Sequence, residues 1–388
     1  MKKILIIISS VIVIFVSILF LMINKNKNIE IEKNQNLELE VGKTAYISDF
    51  IIDDRINIVD NYKIKFNDIG LKTVKYKYKY KNKEKEDSFE LNIVDSTAPV
   101  IMLNNSYTIT KGSDVVLTDS ILCADNYDRN VTCIIEGVYD KDKVGTYDLT
   151  YKATDSSGNE TKIPFTLNVK EKSTNYNTSY TYFEDILKEY KTDNTSIGID
   201  VSKWQGNIDF KKVKESGAEF VYIRIGVQNG FDGELILDPY FKNNLKNAKE
   251  NNLKVGVYFF SYAKSKEDIE KQTKWIIEVL NNEKLDLEVV FDWENWSYFN
   301  LLDLSFIDLN EMNILFSEKM NEAGYKTMLY GSKNYLEKVW DTIDKEVWLA
   351  HYTSKTNYNG KYKLWQICDN GKINGINGYV DIDIMYNN

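Results

Sequence analysis

The 388-residue sequence predicts a short α/β barrel preceded by two small all-β sandwiches and an N-terminal transmembrane helix. Three observations carry this reading. Ile4 to Ile23 holds no charge. Residues 28–170 are built of short alternating or apolar runs separated by Gly, Asn and Asp clusters, and the pattern occurs twice. From residue 196 onward, strand-like and helix-like segments alternate.

The apolar run comes first. Lys2 and Lys3 precede it and the polar stretch 24–27 succeeds it. Twenty apolar residues in a helix span roughly 30 Å, the thickness of a bilayer's hydrocarbon core. A cleaved signal peptide has a shorter apolar region and a small-residue cleavage site. This run is Ile, Leu, Val and Phe with no such site and no cysteine after it for lipid attachment. Residues 1–25 are therefore expected to be an uncleaved anchor, with the N-terminus cytoplasmic and the rest of the chain outside the cell. Lysines flank both sides, so the orientation rests on the exported character of the chain beyond residue 25.

Composition narrows the partners. A formal charge of −9 argues against nucleic acid, whose phosphates require a basic surface. The aromatic share is 13%, with 27 Tyr and 7 Trp, enough to supply either stacking faces for sugars or core tyrosines. The only histidine is His351 and Cys368 stands alone, so no His/Cys cluster suggests a metal, and no cofactor is expected.

Within 28–170, the run from Gly70 to Tyr78 leading to Phe89–Val94 is echoed by Gly145 to Tyr151 leading to Phe165–Val169. The repeat implies two sandwich modules, 28–95 and 96–170, with their boundary near 95–99. The Lys/Tyr alternation at 75–80 reads as a strand with tyrosines on one side and solvated lysines on the other. Cys123 and Cys133 flank the turn-like segment 125–130. A disulfide and two half-buried thiols are both compatible with that spacing. Asp125, Asp128 and Asp155 are read as Asx turns at loop starts rather than as calcium ligands. The second module, through Thr97–Ile101, Asp125–Asp128, Gly145–Tyr147 and Ala153–Asn159, resembles bacterial immunoglobulin-like modules of cell-surface proteins. That resemblance implies a spacer or a wall-contacting stalk. The first module keeps only the terminal strands of the pattern.

Residues 171–195 read as a polar linker with a short helix over 182–190. Residues 196–388 then give eight strand candidates, at 197–202, 220–225, 254–261, 287–294, 326–332, 346–352, 363–368 and 380–385. Helix candidates at 210–216, 239–251, 266–281, 306–323 and 333–340 fill most of the gaps. Eight alternating strands indicate a parallel, TIM-like α/β barrel, short for that fold and lacking helices after the sixth and seventh strands. A doubly wound open sheet is the rival, but no glycine-rich phosphate loop supports it.

In a parallel barrel, reactive groups sit at the carboxyl ends of strands. Asp200 ends the first strand, and Asp292 and Glu294 end the fourth. On a strand, residues i and i+2 share a face, so this pair points to one side. Carboxylates gathered in a barrel mouth are partly desolvated and repel one another's ionisation. One is then kept as the neutral acid needed to protonate a leaving group.

These residues carry a further likeness. Gly198–Phe210, Phe220–Gly226, Asp238–Phe241, Val255–Tyr258, Asp292–Glu294, Trp348–Tyr352, Leu364–Gln366 and Gly375–Asp381 occur in the order found in family 25 glycoside hydrolases, the Chalaropsis-type lysozymes. The region 196–388 resembles that family throughout. The resemblance implies hydrolysis of the β-1,4 bond after N-acetylmuramic acid in peptidoglycan. Glu294 would be the general acid. Asp292 would either stabilise the substrate's own 2-acetamido group or position water. Asp200 would tune the site and Asp381, early in the last strand with Asp383 on its face, would complete the acidic ring. Tyr258, Tyr262, Trp348, Tyr352 and Arg224 would bind the saccharide. Phe259 departs from the family, which often carries histidine there. The expected partners are peptidoglycan glycan strands, and the cytoplasmic membrane through residues 4–23. The competing functions are a non-catalytic wall-binding scaffold and a hydrolase of another N-acetylated glycan such as chitin.

Overall fold

The computed structural model describes residues 29–172 and 179–387. The expected anchor at 1–25 lies outside these residues. Among the described residues, no helix is long and apolar enough to cross a membrane. The chain divides into two compact units between Asp95 and Ser96.

The first unit is a small β structure. Its main sheet runs in the order Glu38–Glu40, Lys83–Val94, Gly70–Tyr80, Asn57–Ile58. The long hairpin turns at Lys81 and Asn82, whose φ angles of 48° and 61° are the paired left-handed values of a two-residue hairpin loop. Val74, Tyr76 and Tyr78 face inward and are buried, while Lys75, Lys77 and Lys79 are exposed. The Lys/Tyr run is thus half-buried strand, not a basic ligand face.

The second unit begins with a sandwich of the same design. Its sheet order is Thr132–Glu136, Gly145–Thr154, Glu160–Lys170, Ser106–Thr110, and its first and last strands pair in parallel as in the first module. Cys123 and Cys133 form a disulfide. Asp125 accepts from the backbone of Tyr127 and Asp128, and Asp155 accepts from that of Asn159. Asp125 makes the Asx-type turn read from the sequence, whereas Asp155 bonds four residues on and joins Asp95 and Asp125 in a carboxylate cluster of the size that could hold a cation.

The barrel comes next. Its eight strands are β1 (Thr195–Val201), β2 (Phe220–Gln228), β3 (Lys254–Ser261), β4 (Val289–Trp293), β5 (Thr327–Ser332), β6 (Val347–Ala350), β7 (Leu364–Lys372) and β8 (Val380–Tyr386). Neighbours pair in sequence order, and β8 closes the ring by pairing with both β7 and β1. The expectation of an all-parallel barrel fails at this strand. β8 is antiparallel to both its neighbours, because a tight return after β7 leaves no room for the crossover a parallel strand requires.

Helices α2 (Phe210–Glu215), α3 (Phe241–Glu250), α4 (Lys266–Leu280), α5 (Phe306–Glu322) and α6 (Lys333–Lys338) succeed β1 to β5 in turn. None succeeds β6 or β7, so the helical ring of a full TIM barrel is incomplete.

The segment expected to be a linker is also more structured than its polarity suggests. Thr181–Tyr182 pairs with Gly371 and Lys372, and α1 (Phe183–Tyr190) buries Phe183 and Ile186 in the barrel's outer core. Two apolar side chains one turn apart anchor an otherwise hydrophilic stretch.

The barrel holds two apolar layers. One lies between strands and helices and includes Ile197, Ile199, Phe259, Phe291, Trp293 and Phe316. The other fills the lumen with Phe220, Tyr222, Val290, Met328, Tyr330, Trp348, Leu364 and Met385. Glycines on neighbouring strands admit the lumen's rings. A Cβ on Gly256 would sit 2.2 Å from the Tyr222 ring, and one on Gly198 would sit 2.5 Å from that of Phe220. Each glycine is the cross-strand partner of the ring it admits.

Gly256→Ala should therefore destabilise the fold by about 2–3 kcal/mol through overpacking. Denaturant unfolding tests this, and an unchanged midpoint would contradict the packing described.

Candidate active site

Strand alternation puts Asp292 and Glu294 on one side of β4 and Trp293 on the other. Trp293 is fully buried, donates its indole N–H to the Ala263 carbonyl at 2.8 Å and packs edge-on against Trp296 and Phe299. This outward ring fixes the end of the strand, so the two acids are held at the barrel's mouth.

The mouth is a cavity of about 260 Å³ that gathers Asp200, Asp292, Glu294 and Asp381, with Arg224, Tyr258 and Trp348 also in its wall. Asp381 reaches it because β8 runs antiparallel. The start of that strand lies level with the end of β1, and Asp381 stands directly across from Asp200. Asp383, two residues on, is wholly buried beneath and accepts the Trp348 indole N–H at 2.9 Å.

Gln366 on β7 ties the ring together. Its amide donates to Asp200 at 2.8 Å and to Asp381 at 3.3 Å. Its carbonyl oxygen accepts the hydroxyls of Tyr330 and Tyr352 at 2.9 and 3.0 Å. A carboxylate-only ring would be unstable at this spacing. An amide offers donors to the acids while adding no charge.

Burial raises every acid of the ring. Desolvation is the largest cause for Asp200, with repulsion from Asp383 second. Desolvation also lifts Asp383, with Asp381 next, and pushes Asp381 up to about 9. Asp292 is raised by desolvation and then by Glu294. Glu294 is open to solvent through the mouth, yet the cleft walls still desolvate its carboxyl and raise it. The two carboxyls also interact with each other, which raises Asp292 further and offsets part of the rise at Glu294.

The other expected contacts divide. Arg224 is buried, and its charge is matched by Asp238 at 2.7 Å. Asp238 also accepts the backbone N–H of Lys203, linking β2 to the loop after β1. Tyr258 faces the mouth, and Tyr352 stands at its edge, 53% exposed.

Trp348 does not offer a free stacking face. It is 2% exposed, wedged against Tyr222, Tyr258 and Tyr330, and forms the floor. Tyr262 lies outside the cavity wall and packs edge-on with Phe231 and Phe260. Phe259 is fully buried against Trp275 of α4, so the departure from histidine there removes nothing from the mouth.

Gln366, Tyr330 and Trp204 are among the wall residues that the sequence did not single out. Trp204 is 76% exposed beside the cleft with Lys203 over its ring, the platform expected of a sugar-stacking residue. Its place in the block after Asp200 was the available signal.

Raised carboxyls around a cleft at the open end of a closed barrel are the kind of arrangement that carboxyl-based glycoside hydrolysis uses. Residues 199–376, nearly the whole barrel, match the glycosyl hydrolases family 25. Residues 101–169 match the bacterial surface protein, Ig-like domain.

Among curated proteins, the chain is 30% identical over 189 residues to the autolytic lysozyme of Clostridium acetobutylicum, covering 48% of this chain and 54% of that one. It thus spans about half the length of that relative. It is 27% identical over 196 residues to YegX of Escherichia coli (strain K12), covering 49% and 70%. Among solved structures, it resembles a family 25 glycosyl hydrolase from Bacillus anthracis at 23% identity and a TM-score of 0.44, covering 51% of this chain and 93% of that one.

The raised Asp381 carries a stability consequence. Its folded value of about 9 lies above the ordinary 3.8, so above pH 4 or so the folded chain holds a proton that the unfolded chain has released. Stability from this group therefore falls as pH rises from about 4 to about 9. Asp381→Asn removes the titration. Its melting temperature should gain on wild type steadily between about pH 5 and pH 8 in scanning calorimetry, whereas a constant offset would rule this out.

Proposed function

We propose that the barrel cleaves the β-1,4 bond between N-acetylmuramic acid and N-acetylglucosamine in peptidoglycan. In this reading the chain is a single-pass membrane protein anchored by residues 4–23, with its N-terminus cytoplasmic and its catalytic domain facing the cell wall. The family 25 match and the acid ring support the activity. The uncharged N-terminal run and the disulfide in the second sandwich support an exported location.

One observation carries the chemistry: Asp292 and Glu294 are neighbours in the wall of the same cleft. Opposed carboxyls in ordinary glycosidases stand roughly 5 Å apart when one is a nucleophile, and about 6.5 Å or more when a water fits between them. Asp292 and Glu294 instead rise side by side from the end of one strand and work from one side of the sugar. Glu294, nearer solvent, delivers its proton to the glycosidic oxygen. Asp292 keeps one carboxyl oxygen without a protein partner. That oxygen is suited to a substrate N–H, which favours participation of the 2-acetamido group over direct attack by water. Burial in the mouth, with Asp200 beside Asp292, keeps the pair from losing its proton near neutral pH. Trp204 and Tyr352 offer the sugar exposed ring faces, and Tyr258 lines the cleft between them.

Full-length protein incubated with purified peptidoglycan should generate new reducing ends on muramic acid. Glu294→Gln should lower kcat about 10³-fold, within the range for losing a general acid, with a smaller change in KM. Reducing ends on glucosamine, or equal release by the variant, would sink the proposal.

A further inference from the structure

The second sandwich is expected from sequence to be a spacer or a wall-contacting stalk, but its contacts with the barrel are those of a structural part. Leu122 and Ala124, at its short strand Cys123–Ala124, are buried in the barrel's own outer core, and Val100 and Met102 pack against that core from the same side. The polar contacts converge on one barrel segment, the connection from β4 to α5. This connection leaves β4 at Glu294, passes through a 3-10 turn at Trp296–Leu301 and enters α5 behind the cap residue Ser305.

The start of α5 shows how closely the two parts are fitted. The first four N–H groups of a helix have no partner inside it. Two of these four are satisfied locally by a capping box: Ser305 N–H donates to Asp308, and Asp308 N–H donates to the Ser305 hydroxyl. The other two leave the domain. Phe306 N–H donates to the carbonyl of Asp125 at 2.9 Å and Ile307 N–H to that of Asn126 at 3.0 Å, both in the sandwich.

The Asx turn of Asp125 holds that loop in shape. Arg129 then grips the capping-box acid itself, with two bonds to Asp308 at 2.7 and 2.8 Å. Midway along the connection, the Asn300 amide donates to the carbonyl of Thr118 at 3.2 Å.

At its near end, the connection holds the acid. Asn295 donates to the Ser261 carbonyl at 2.7 Å, and Trp296 lies flat on Tyr335 with ring centres 3.8 Å apart. Phe299 is buried between them and α5, touching both Trp296 and Phe306. The chain between the sandwich's grip and Glu294 is thus a short series of stacked rings, through which a displacement at α5 reaches the acid.

We infer that the second sandwich is a positioning element of the catalytic site: by capping α5 and gripping Asp308 through Arg129, it fixes the 295–305 connection and so the placement of Glu294. Arg129 acts through this connection and touches no substrate. The inference rests on the proposed hydrolase activity only for its kinetic consequence.

The test uses the full-length chain with Arg129→Ala and Arg129→Lys. Hydrogen exchange read by mass spectrometry should show faster exchange confined to 295–308 in Arg129→Ala, with the barrel strands unchanged. On peptidoglycan the same variant should lose about tenfold in kcat, the scale expected of a slightly misplaced group, with KM within about twofold. Arg129→Lys, which keeps one charged contact, should recover part of both. Unchanged exchange at 295–308 would overturn the inference. So would faster exchange spread evenly over the chain, or a lysine variant as impaired as alanine with no local change. If wild type releases no glycan ends, the proposed activity fails on its own, and the exchange pattern alone decides the positioning role.

Discussion

Desolvation of clustered carboxyls is the force to which the rest of this barrel answers. Asp200, Asp292, Asp381 and Asp383 are drawn out of water with Glu294 at their edge, and each makes its neighbours harder to ionise. Such a cluster persists only if protons, amide donors or indole N–H groups stand in for the lost water. Gln366 supplies the amide and Trp348 the indole, while the barrel lumen below is sealed by rings. The aromatic floor excludes water from beneath, which keeps the acids protonated. The glycines on β1 and β3 exist to let those rings in.

The architecture was largely legible in the sequence because each signal was local. All eight barrel strands and five helices lie within a few residues of where hydrophobic periodicity puts them. The acids at strand ends emerge from the same pattern. The illegible part depends on partners distant in sequence. The direction of β8 is set by the length of the return after β7, and only the closed ring shows that Asp381 meets Asp200. Trp348 has the composition of a stacking residue. Its burial reflects Asp383 and three neighbouring rings drawn from other strands. Gln366 ends one of the family-like blocks, Leu364–Gln366, but its role gave no signal, since a lone glutamine on a strand has no characteristic spacing.

The segment 181–190 and the second sandwich illustrate the same limit. Both read as accessories by composition, one polar and one built on a separate repeat. Yet Phe183, Ile186, Leu122 and Ala124 all lie within the barrel's outer core. A few apolar side chains are enough to join a segment to a core, and they are too few to alter its average character. A family match over 199–376 therefore marks the extent of a shared pattern, which is narrower than the set of residues that pack together here.

The reversed eighth strand has a consequence for how the catalytic mouth comes into being. Seven strands can be laid side by side in the order in which the chain is made, each pairing with the one before. The eighth must return to a strand nearly two hundred positions earlier, a closure whose cost in chain entropy falls at the last step. Two of the acids arrive with it. Until residues 380–386 insert, Asp200 has no opposing carboxyl and the proton-retaining ring does not exist. A chain still emerging from a ribosome would thus carry Asp292 and Glu294 on a sheet with an open edge, and the closed ring of acids would be acquired in one event, on ring closure.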